Sequence, residues 1–264
     1  METEALYEVL EQQYFGTNMQ ERLEIDQLPQ ILDNVSLFVD VGASLGQYTF
    51  FANKALKGAR IVAIEADPFR YQHLTEAAAS WEKLSSNQIQ VIHAAATDEP
   101  GKVEFYSAPE NASGGLFVSH RGDAGFSGSS QWTKTEVDCV SLDSVFKDCK
   151  PDFVKMDVEG AEYRVLLGAR EILKEGNCRF FVEVHPWGDV EFKKTAADVF
   201  RLFASFDYDF KRVHRHWLFE KSTQPMKRFI KNKMIVFIMD HQKIKETLKK
   251  AVLAISGQPT RKIG

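Results

Sequence analysis

Short apolar runs alternate with amphipathic stretches along most of the chain. The runs are short enough for buried strands, and the stretches between them carry apolar residues at helical spacing. The predicted strands lie at residues 37–41, 60–65, 89–95, 153–157 and 179–184. The predicted helices lie at residues 2–14, 47–56, 68–84, 161–174 and 192–206. Strands that alternate with helices indicate an α/β fold with a mostly parallel, doubly wound sheet.

The alternation changes in two places. Residues 102–107 and 135–140 alternate like exposed strands around a loop rich in Gly, Ser and Asn, which predicts a β insertion at about 102–140. Long loops in compact domains are often functional, and residues 111–130 are a candidate lid over a substrate. Late strands are predicted at residues 208–213, 217–220 and 233–239. Their hairpin-like succession indicates an antiparallel edge of the sheet.

This pattern divides the chain into three parts. Residues 1–36 are predicted to form a helical segment, 37–240 an α/β domain, and 241–264 a basic amphipathic helix and tail. A chain of 264 residues with 44% hydrophobic and 27% charged residues is typical of a globular protein with a sizeable core. No apolar run approaches the ~20 residues of a membrane helix, so no transmembrane segment is expected.

The cellular setting is predicted from two features. The three cysteines are scattered and odd in number, without metal-knuckle spacing. The acidic start lacks the basic and apolar regions of a signal peptide. Together they favour a reduced, cytoplasmic setting, whereas the sequence does not predict the oligomeric state.

Charge is unevenly distributed along the chain. Residues 211–264 carry 14 Lys and Arg against 3 acidic residues, and the preceding part is acidic. Such asymmetry favours either an anionic partner or, more simply, a solvated face that balances the acidic half. The candidate residues for binding an anionic acceptor are Lys211, Arg212, His214, Arg215 and His216. This cluster lacks interleaved aromatic residues, so no nucleic-acid partner is predicted.

The first strand of the α/β domain ends in a glycine loop that opens a helix. Residues 38–49 read FVDVGASLGQYT. Glycines permit close approach of the backbone to a ligand, and the helix N-terminus offers free N–H donors. Glu65, at the end of the next strand, can accept both hydroxyls of a ribose. Ser44 and Gln47 stand where a dinucleotide fingerprint has glycines, which disfavours a nicotinamide-dependent oxidoreductase.

A cluster of acidic residues follows a later strand. Residues 154–162 read VKMDVEGAE and place Asp157 and Glu159 at the carboxyl edge of the sheet, where open α/β folds bind ligands. If strand 179–184 is the neighbour, Glu183 and His185 end near these acids. Histidine is the usual proton acceptor near neutral pH, so His185 is the candidate general base.

Other interpretations of this cluster stay open. Asp157, Glu183 and His185 can instead hold Mg²⁺ or Mn²⁺, although the spacing is permissive and a metal-free site is preferred. Glu162 can simply favour a helix N-terminus. His185, which precedes Pro186, can be a hydrogen-bonded turn residue.

These motifs resemble a known family. The pattern DxGxxxG from Asp40 to Gly46, together with Glu65, resembles the cofactor site of class I S-adenosylmethionine (SAM)-dependent methyltransferases. Three further segments resemble the FkbM family of methyltransferases: KMDVEGAE at 155–162, LGA at 167–169 and VDCVSLD at 137–143. The resemblance covers about residues 37–185, so residues 37–240 are expected to form a class I methyltransferase domain.

The resemblance implies a Rossmann-like sheet of seven strands, the last one antiparallel, and transfer of the SAM methyl group to oxygen. It places these residues around the cofactor: Asp40, Gly42, Ala43, Ser44, Gly46, Tyr48, Glu65, Ala66, Thr97, Asp98 and Asp157. Glu65 would hold the ribose, Thr97 and Asp98 would flank the adenine, and Asp157 would lie near the transferred methyl. Asp40, Gly42, Ser44 and Gly46 would line the methionine end of the cofactor.

The resulting hypothesis is a SAM-dependent O-methyltransferase that acts on a hydroxyl of a sugar, glycolipid precursor or secondary metabolite. The candidate catalytic residues are His185, Asp157 and Glu159, with Asp157 towards the cofactor and Glu159 towards the acceptor. The expected partner is a small-molecule or glycoside acceptor that can carry an anionic group. The alternatives are a nicotinamide-dependent oxidoreductase and a non-catalytic nucleotide-binding protein.

Overall fold

A computed structural model describes residues 2–15, 24–107, 133–186, 189 and 192–223. Its helices are α1 (Glu2–Phe15), α2 (Leu28–Ile31), α3 (Gln47–Ala55), α4 (Pro68–Trp81), α5 (Leu142–Val145), α6 (Glu162–Leu167), α7 (Arg170–Glu175) and α8 (Ala196–Ser205). Its strands are β1 (Leu37–Val41), β2 (Arg60–Glu65), β3 (Gln88–His93), β4 (Ala95–Ala96), β5 (Gly101–Ser107), β6 (Thr133–Val140), β7 (Phe153–Met156), β8 (Arg179–Glu183), β9 (Tyr208–Val213) and β10 (His216–Lys221).

Several predicted features lie outside the described residues. They are the lid at 111–130, the strand at 233–239 and the basic helix and tail at 241–264. None of the helices in the described ranges is long and apolar enough to cross a membrane.

A seven-stranded sheet organises the described chain, in the order β3-β2-β1-β7-β8-β10-β9. The first five strands in this order, which are β3, β2, β1, β7 and β8, pair in parallel. β10 pairs antiparallel with both β8 and β9. The predicted Rossmann-like sheet with antiparallel pairing at one edge is therefore confirmed. β10, the last described strand, is inserted beside β8, and β9 forms the outer edge.

Helices cover both faces of this sheet, because alternate strand residues point to opposite sides. On one face, Val39 and Phe180 pack with α6, α7 and α8. On the other face, Phe38 and Phe181 pack with α3, α4 and the N-terminal segment. Since both faces are buried, the strands read as near-continuous apolar runs, and the sequence shows them clearly.

The N-terminal helical segment belongs to the second face of the sheet. Tyr7, Ile25 and Leu28 are buried there in the same core as Phe50 of α3. Asn53 of α3 donates from its amide to the hydroxyl oxygen of Tyr7 at 2.9 Å. The segment is thus packed onto the α/β domain, near the helix that follows the glycine loop.

The β insertion forms a separate three-stranded sheet in the order β4-β6-β5. β5 and β6 pair antiparallel, and the short β4 pairs in parallel with β6. Phe105, Val137 and Cys139 form its small core with Ala95. β4 directly follows β3, so the insertion begins at the carboxyl edge of the main sheet.

The helix predicted at 161–174 is broken into α6 and α7. The break lies at Gly168, where a Cβ would meet the carbonyl oxygen of Thr97 at 2.2 Å. The Gly168 carbonyl accepts the N–H of Asp143 at 2.8 Å. Tertiary contacts with the insertion therefore end the first helix, and helical spacing alone does not reveal them.

Phe180→Ala tests the core of the first face. Phe180 is fully buried, and its ring lies 5.2 Å from Phe203 and 5.8 Å from Tyr208 between centroids. We expect the free energy of unfolding to fall by about 3–5 kcal/mol, as it does when a large core aromatic is truncated. Urea denaturation measures the loss. Phe69→Ala is the control, because Phe69 is exposed and its loss should stay within about 0.5 kcal/mol. Equal losses would contradict this packing.

Candidate active site

The loop after β1 turns through three residues with left-handed backbone. Gly42, Ser44 and Gly46 have φ angles of 70°, 53° and 84°. A Cβ on Gly42 would lie 2.0 Å from the backbone oxygen of Asp157, and one on Gly46 would lie 2.3 Å from Leu74 Cδ1. Glycine is required at both positions, and the loop backbone consequently lies directly against the end of β7.

Glu65 ends β2 and anchors this loop. Its carboxylate accepts the backbone N–H of Ser44 at 2.6 Å and of Asp67 at 2.8 Å. Burial raises the pKa of Glu65, although the two hydrogen bonds and Arg70 oppose this effect. A carboxylate has about four lone-pair positions, so two stay available for further donors. That capacity fits the vicinal hydroxyls of a ribose.

A buried ion pair lies beneath the glycine loop. Lys155 Nζ is 3.2 Å from Asp40 Oδ1 and donates to the Gly42 carbonyl at 3.3 Å. The Thr49 hydroxyl donates to Asp40 Oδ2 at 2.8 Å. Burial lowers the pKa of Lys155, but the charges of Asp40 and Asp157 outweigh it and raise the pKa overall. Asp40, expected at the methionine end, is thus buried as a support of the loop.

Ala43 and Tyr48 occupy the inner side of the loop. Ala43 is buried and donates its N–H to the Ile64 carbonyl at 3.2 Å. The Tyr48 ring lies 4.7 Å from Lys155 Nζ, and its hydroxyl donates to Glu24 at 2.9 Å. Direct contact of either side chain with a cofactor stays a prediction.

Ala66 directly follows β2, and Thr97 and Asp98 directly follow β4 of the smaller sheet. His93 Nε2 is 3.2 Å from the Ala66 carbonyl oxygen. Thr97 is buried and donates its hydroxyl to the Glu99 carbonyl at 2.8 Å, whereas Asp98 is partly exposed. Ala66 therefore lies at the carboxyl edge of the main sheet, and contacts of all three residues with an adenine stay predictions.

The acidic cluster forms where β7 and β8 end. His185 Nδ1 lies 2.6 Å from Glu162 Oε1. His185 Nε2 lies 3.4 Å from Glu159 Oε2 and 3.8 Å from Asp157 Oδ1. The structure therefore brings the three predicted catalytic residues together and adds Glu162 to them.

A tight turn shapes this cluster. Glu159 and Gly160 have φ angles of 53° and 108°. The Gly160 N–H donates to Glu162 Oε1 at 3.0 Å. Left-handed backbone at a non-glycine residue costs about 1–3 kcal/mol and persists only where surrounding contacts hold it. The turn is a consequence of the short path between β7 and α6, and it places the Glu159 carboxylate beside His185.

The acids control the protonation of His185. Burial lowers the pKa of His185, but Glu162, Asp157 and Glu159 together raise it to about 9. Burial raises the pKa of Glu162, so the close pair holds a proton at neutral pH. A base that works near pH 7 needs a lower pKa. His185 can therefore accept a proton at neutral pH only after the local negative charge has been reduced.

The candidate metal ligands also meet at this place. Asp157, Glu183 and His185 each offer a ligand atom, and these atoms lie within 4.8 Å of one another. Arg215 donates from Nε at 3.1 Å and from Nη2 at 2.6 Å to Glu183 Oε1. A cation would have to compete with Arg215 and with the proton on His185. The donor set fits a divalent metal in type, but these competitors make it an incomplete site.

The basic cluster extends from β9 through the following turn to β10, and four of its five members are exposed. His216 is buried, with Nδ1 2.9 Å from Glu24 Oε2. Arg215 is held by the carboxylate at the end of β8. Arg212 donates to the His214 carbonyl at 2.8 Å. Binding of an anionic acceptor by the exposed members of the cluster stays a prediction.

Sequence comparison decides the family. The sequence model of the family described as the methyltransferase FkbM domain matches residues 40–210. This chain belongs to the FkbM methyltransferase family. The match contains the glycine loop, Glu65 and the acidic cluster, so it confirms the resemblance and supports methyltransferase activity against the oxidoreductase alternative. No curated protein matches the chain.

Solved structures include three similar proteins. A methyltransferase FkbM from Methylobacillus flagellatus KT is 20% identical with a TM-score of 0.48, and the match covers 70% of this chain and 43% of that one. A methyltransferase-like protein from Silicibacter pomeroyi DSS-3 is 12% identical with a TM-score of 0.46, covering 79% and 90%. A methyltransferase from Geobacter sulfurreducens is 14% identical with a TM-score of 0.45, covering 84% and 89%. The chain thus spans less than half of the Methylobacillus protein.

Lys155→Met tests the buried support of the loop. The substitution leaves Asp40 in the interior without its cation, so we expect the free energy of unfolding to fall by about 3–5 kcal/mol. Asp40→Asn combined with Lys155→Met removes both charges and should recover part of the loss. Lys174→Met is the control, since Lys174 is exposed on α7. Urea denaturation measures all three, and a double variant less stable than Lys155→Met would contradict the pairing.

Proposed function

We propose that this protein is a SAM-dependent O-methyltransferase whose acceptor is a hydroxyl of a sugar, glycolipid precursor or secondary metabolite. One observation carries the proposal. The glycine loop with Glu65 and the cluster of acids around His185 meet at one edge of the sheet, joined where Gly42 touches Asp157. Family membership supports methyl transfer, and the imidazole among carboxylates supports a hydroxyl as the acceptor. The cytoplasmic setting stays a prediction.

The residues at the sheet edge fit SAM. Glu65 keeps acceptor capacity for the ribose hydroxyls, and Gly42 and Gly46 leave the loop without side chains at the two positions where it turns most tightly. Asp157 and Glu159 are partly exposed at the end of β7 and favour a positive charge beside them. When bound, SAM supplies a methyl group that its sulfonium charge has already activated.

The protein's own contribution concerns the acceptor hydroxyl and its proton. Glu162 holds His185 at Nδ1, so that Nε2 faces Asp157 and Glu159. Glu159 can orient a hydroxyl by accepting its hydrogen bond, and His185 Nε2 is within reach of the same place. A positive ligand beside Asp157 would oppose the acids that raise the pKa of His185. The base would thereby become available once the cofactor site is filled.

SAM binding with a Glu65→Gln variant tests the cofactor site. We expect the wild-type protein to bind SAM and not NAD in calorimetry. Glu65→Gln should weaken SAM binding about 10- to 100-fold, because a hydrogen bond to a charged group contributes about 1.5–3 kcal/mol. Glu76→Gln on the exposed side of α4 is the matched control and should bind as the wild type does. Binding of NAD in place of SAM would contradict the proposal.

A divalent cation is the second candidate for activation of the hydroxyl. The convergence of Asp157, Glu183 and His185 favours it, because such a cation lowers the pKa of a bound hydroxyl. The proton on His185 and the two hydrogen bonds from Arg215 to Glu183 oppose it. We therefore propose a metal-free site with His185 as the base.

The titration of His185 separates these two mechanisms. In metal-free protein, NMR should give a midpoint of about 9, and Mg²⁺ should leave it unchanged. Because the pKa is raised, the ion pair with Glu162 stabilises the fold fully below about pH 6.5, and this stability is lost as the pH rises towards 9. Glu162→Gln should lower the midpoint, whereas Glu171→Gln, an exposed acid on α7, should not.

Two results would contradict this account of His185. A wild-type midpoint at the ordinary value would show that the acids do not control its pKa. A clear fall of the midpoint on addition of Mg²⁺, reversed by EDTA, would show that a metal replaces the proton.

A further inference from the structure

A buried carboxylate outside the acidic cluster joins three elements of the fold. Glu24 has no solvent exposure. Its Oε2 accepts from the Tyr48 hydroxyl and from His216 Nδ1, both at 2.9 Å. Its Oε1 accepts the backbone N–H of Arg215. Burial raises the pKa of Glu24, but these donors, His216 above all, outweigh it and lower the pKa overall.

One branch of this network leads to the glycine loop. Tyr48 is the second residue of α3 and lies two positions after Gly46. Its ring lies 4.7 Å from Lys155 Nζ, and Lys155 donates to the Gly42 carbonyl. Three consecutive contacts therefore connect Glu24, through Tyr48 and Lys155, to the loop that is proposed to hold the cofactor.

The other branch leads to the acceptor side. Arg215, whose N–H Glu24 fixes, donates twice from its side chain to Glu183. The ligand atom of Glu183 lies within 4.8 Å of those of Asp157 and His185. Next to Arg215, the His216 ring stacks on Phe181 with centroids 4.4 Å apart. The turn between β9 and β10 is thus held by Glu24 on one side and by the end of β8 on the other.

Packing alone does not account for a carboxylate at this place. A buried ionised acid costs several kcal/mol unless polar donors compensate it. Here the donors come from α3, from the turn before β10 and from β10 itself. Glu24, Arg215 and His216 also lie outside residues 40–210, the part matched by the family.

We propose that Glu24 is a positioning residue that couples the glycine loop to Arg215 and Glu183, so that cofactor binding orders the acceptor side of the site. The inference rests on the proposed function. Its direction follows from the contacts: a ligand that fixes the loop also fixes Tyr48, and Tyr48 fixes the carboxylate that holds the β9–β10 turn.

Hydrogen exchange with and without saturating SAM tests this coupling. In the wild type, SAM should slow exchange of the amides in the β9–β10 hairpin, residues 208–221, about tenfold. A tenfold effect is within the usual range of coupling between sites. Glu24→Gln removes the charge that joins Tyr48 to the hairpin, and this variant should bind SAM while the hairpin no longer responds. Tyr48→Phe removes one donor to Glu24 and keeps the two contacts with the hairpin. It should also lose the response when SAM is saturating, whatever its affinity for SAM. Glu8→Gln, an exposed acid of α1, is the matched control and should respond as the wild type does.

The outcomes separate this inference from the proposed function. If the variants raise hairpin exchange equally in both states while SAM still slows it, Glu24 is only structural and the inference is wrong. If wild-type protein binds SAM without any effect on the hairpin, the inference is wrong and the proposed function stands. If calorimetry finds no SAM binding to the wild type, both are overturned.

Discussion

The ion pair between Lys155 and Asp40 is the contact on which the geometry of the site depends. It joins β7 to β1 in the interior, where either charge alone would be strongly destabilising. The same ammonium group donates to the Gly42 carbonyl, and Gly42 lies against the backbone of Asp157. The glycine loop and the acidic cluster are therefore fixed against each other at this junction. Their relative position follows from this junction rather than from the loops around it.

The separate pieces of the family motif become one structural unit in the fold. Asp143 ends the VDCVSLD segment, and its carboxylate accepts the N–H groups of Glu171 and Ile172 at the start of α7. Gly168 of the LGA segment lets the Thr97 carbonyl approach and accepts the N–H of Asp143. These contacts fix the junction of α6 and α7 against Thr97 and α5. Glu162, which contacts His185, lies at the start of α6.

Much of this arrangement could be predicted from the sequence. The carboxyl ends of parallel strands meet at one edge, so Asp157 and Glu183 could be placed together from the order of the strands. Contacts that depend on distant segments could not. Glu24 and His216 are separated by 192 positions, and no periodicity points from one to the other. The pKa of His185 likewise depends on the combined charges of acids from two elements, so residue type alone suggested a base with an ordinary value.

Transfer of a labelled methyl group tests the central claim most directly. The protein is incubated with SAM that carries a ¹³C-methyl group and with a fraction of sugars, glycolipid precursors and secondary metabolites, and the products are examined by NMR and mass spectrometry. The account predicts a new O-methyl signal on a small molecule, which disappears with His185→Ala although SAM is still bound. Label on nitrogen or carbon, or an O-methyl signal undiminished in His185→Ala, would contradict it.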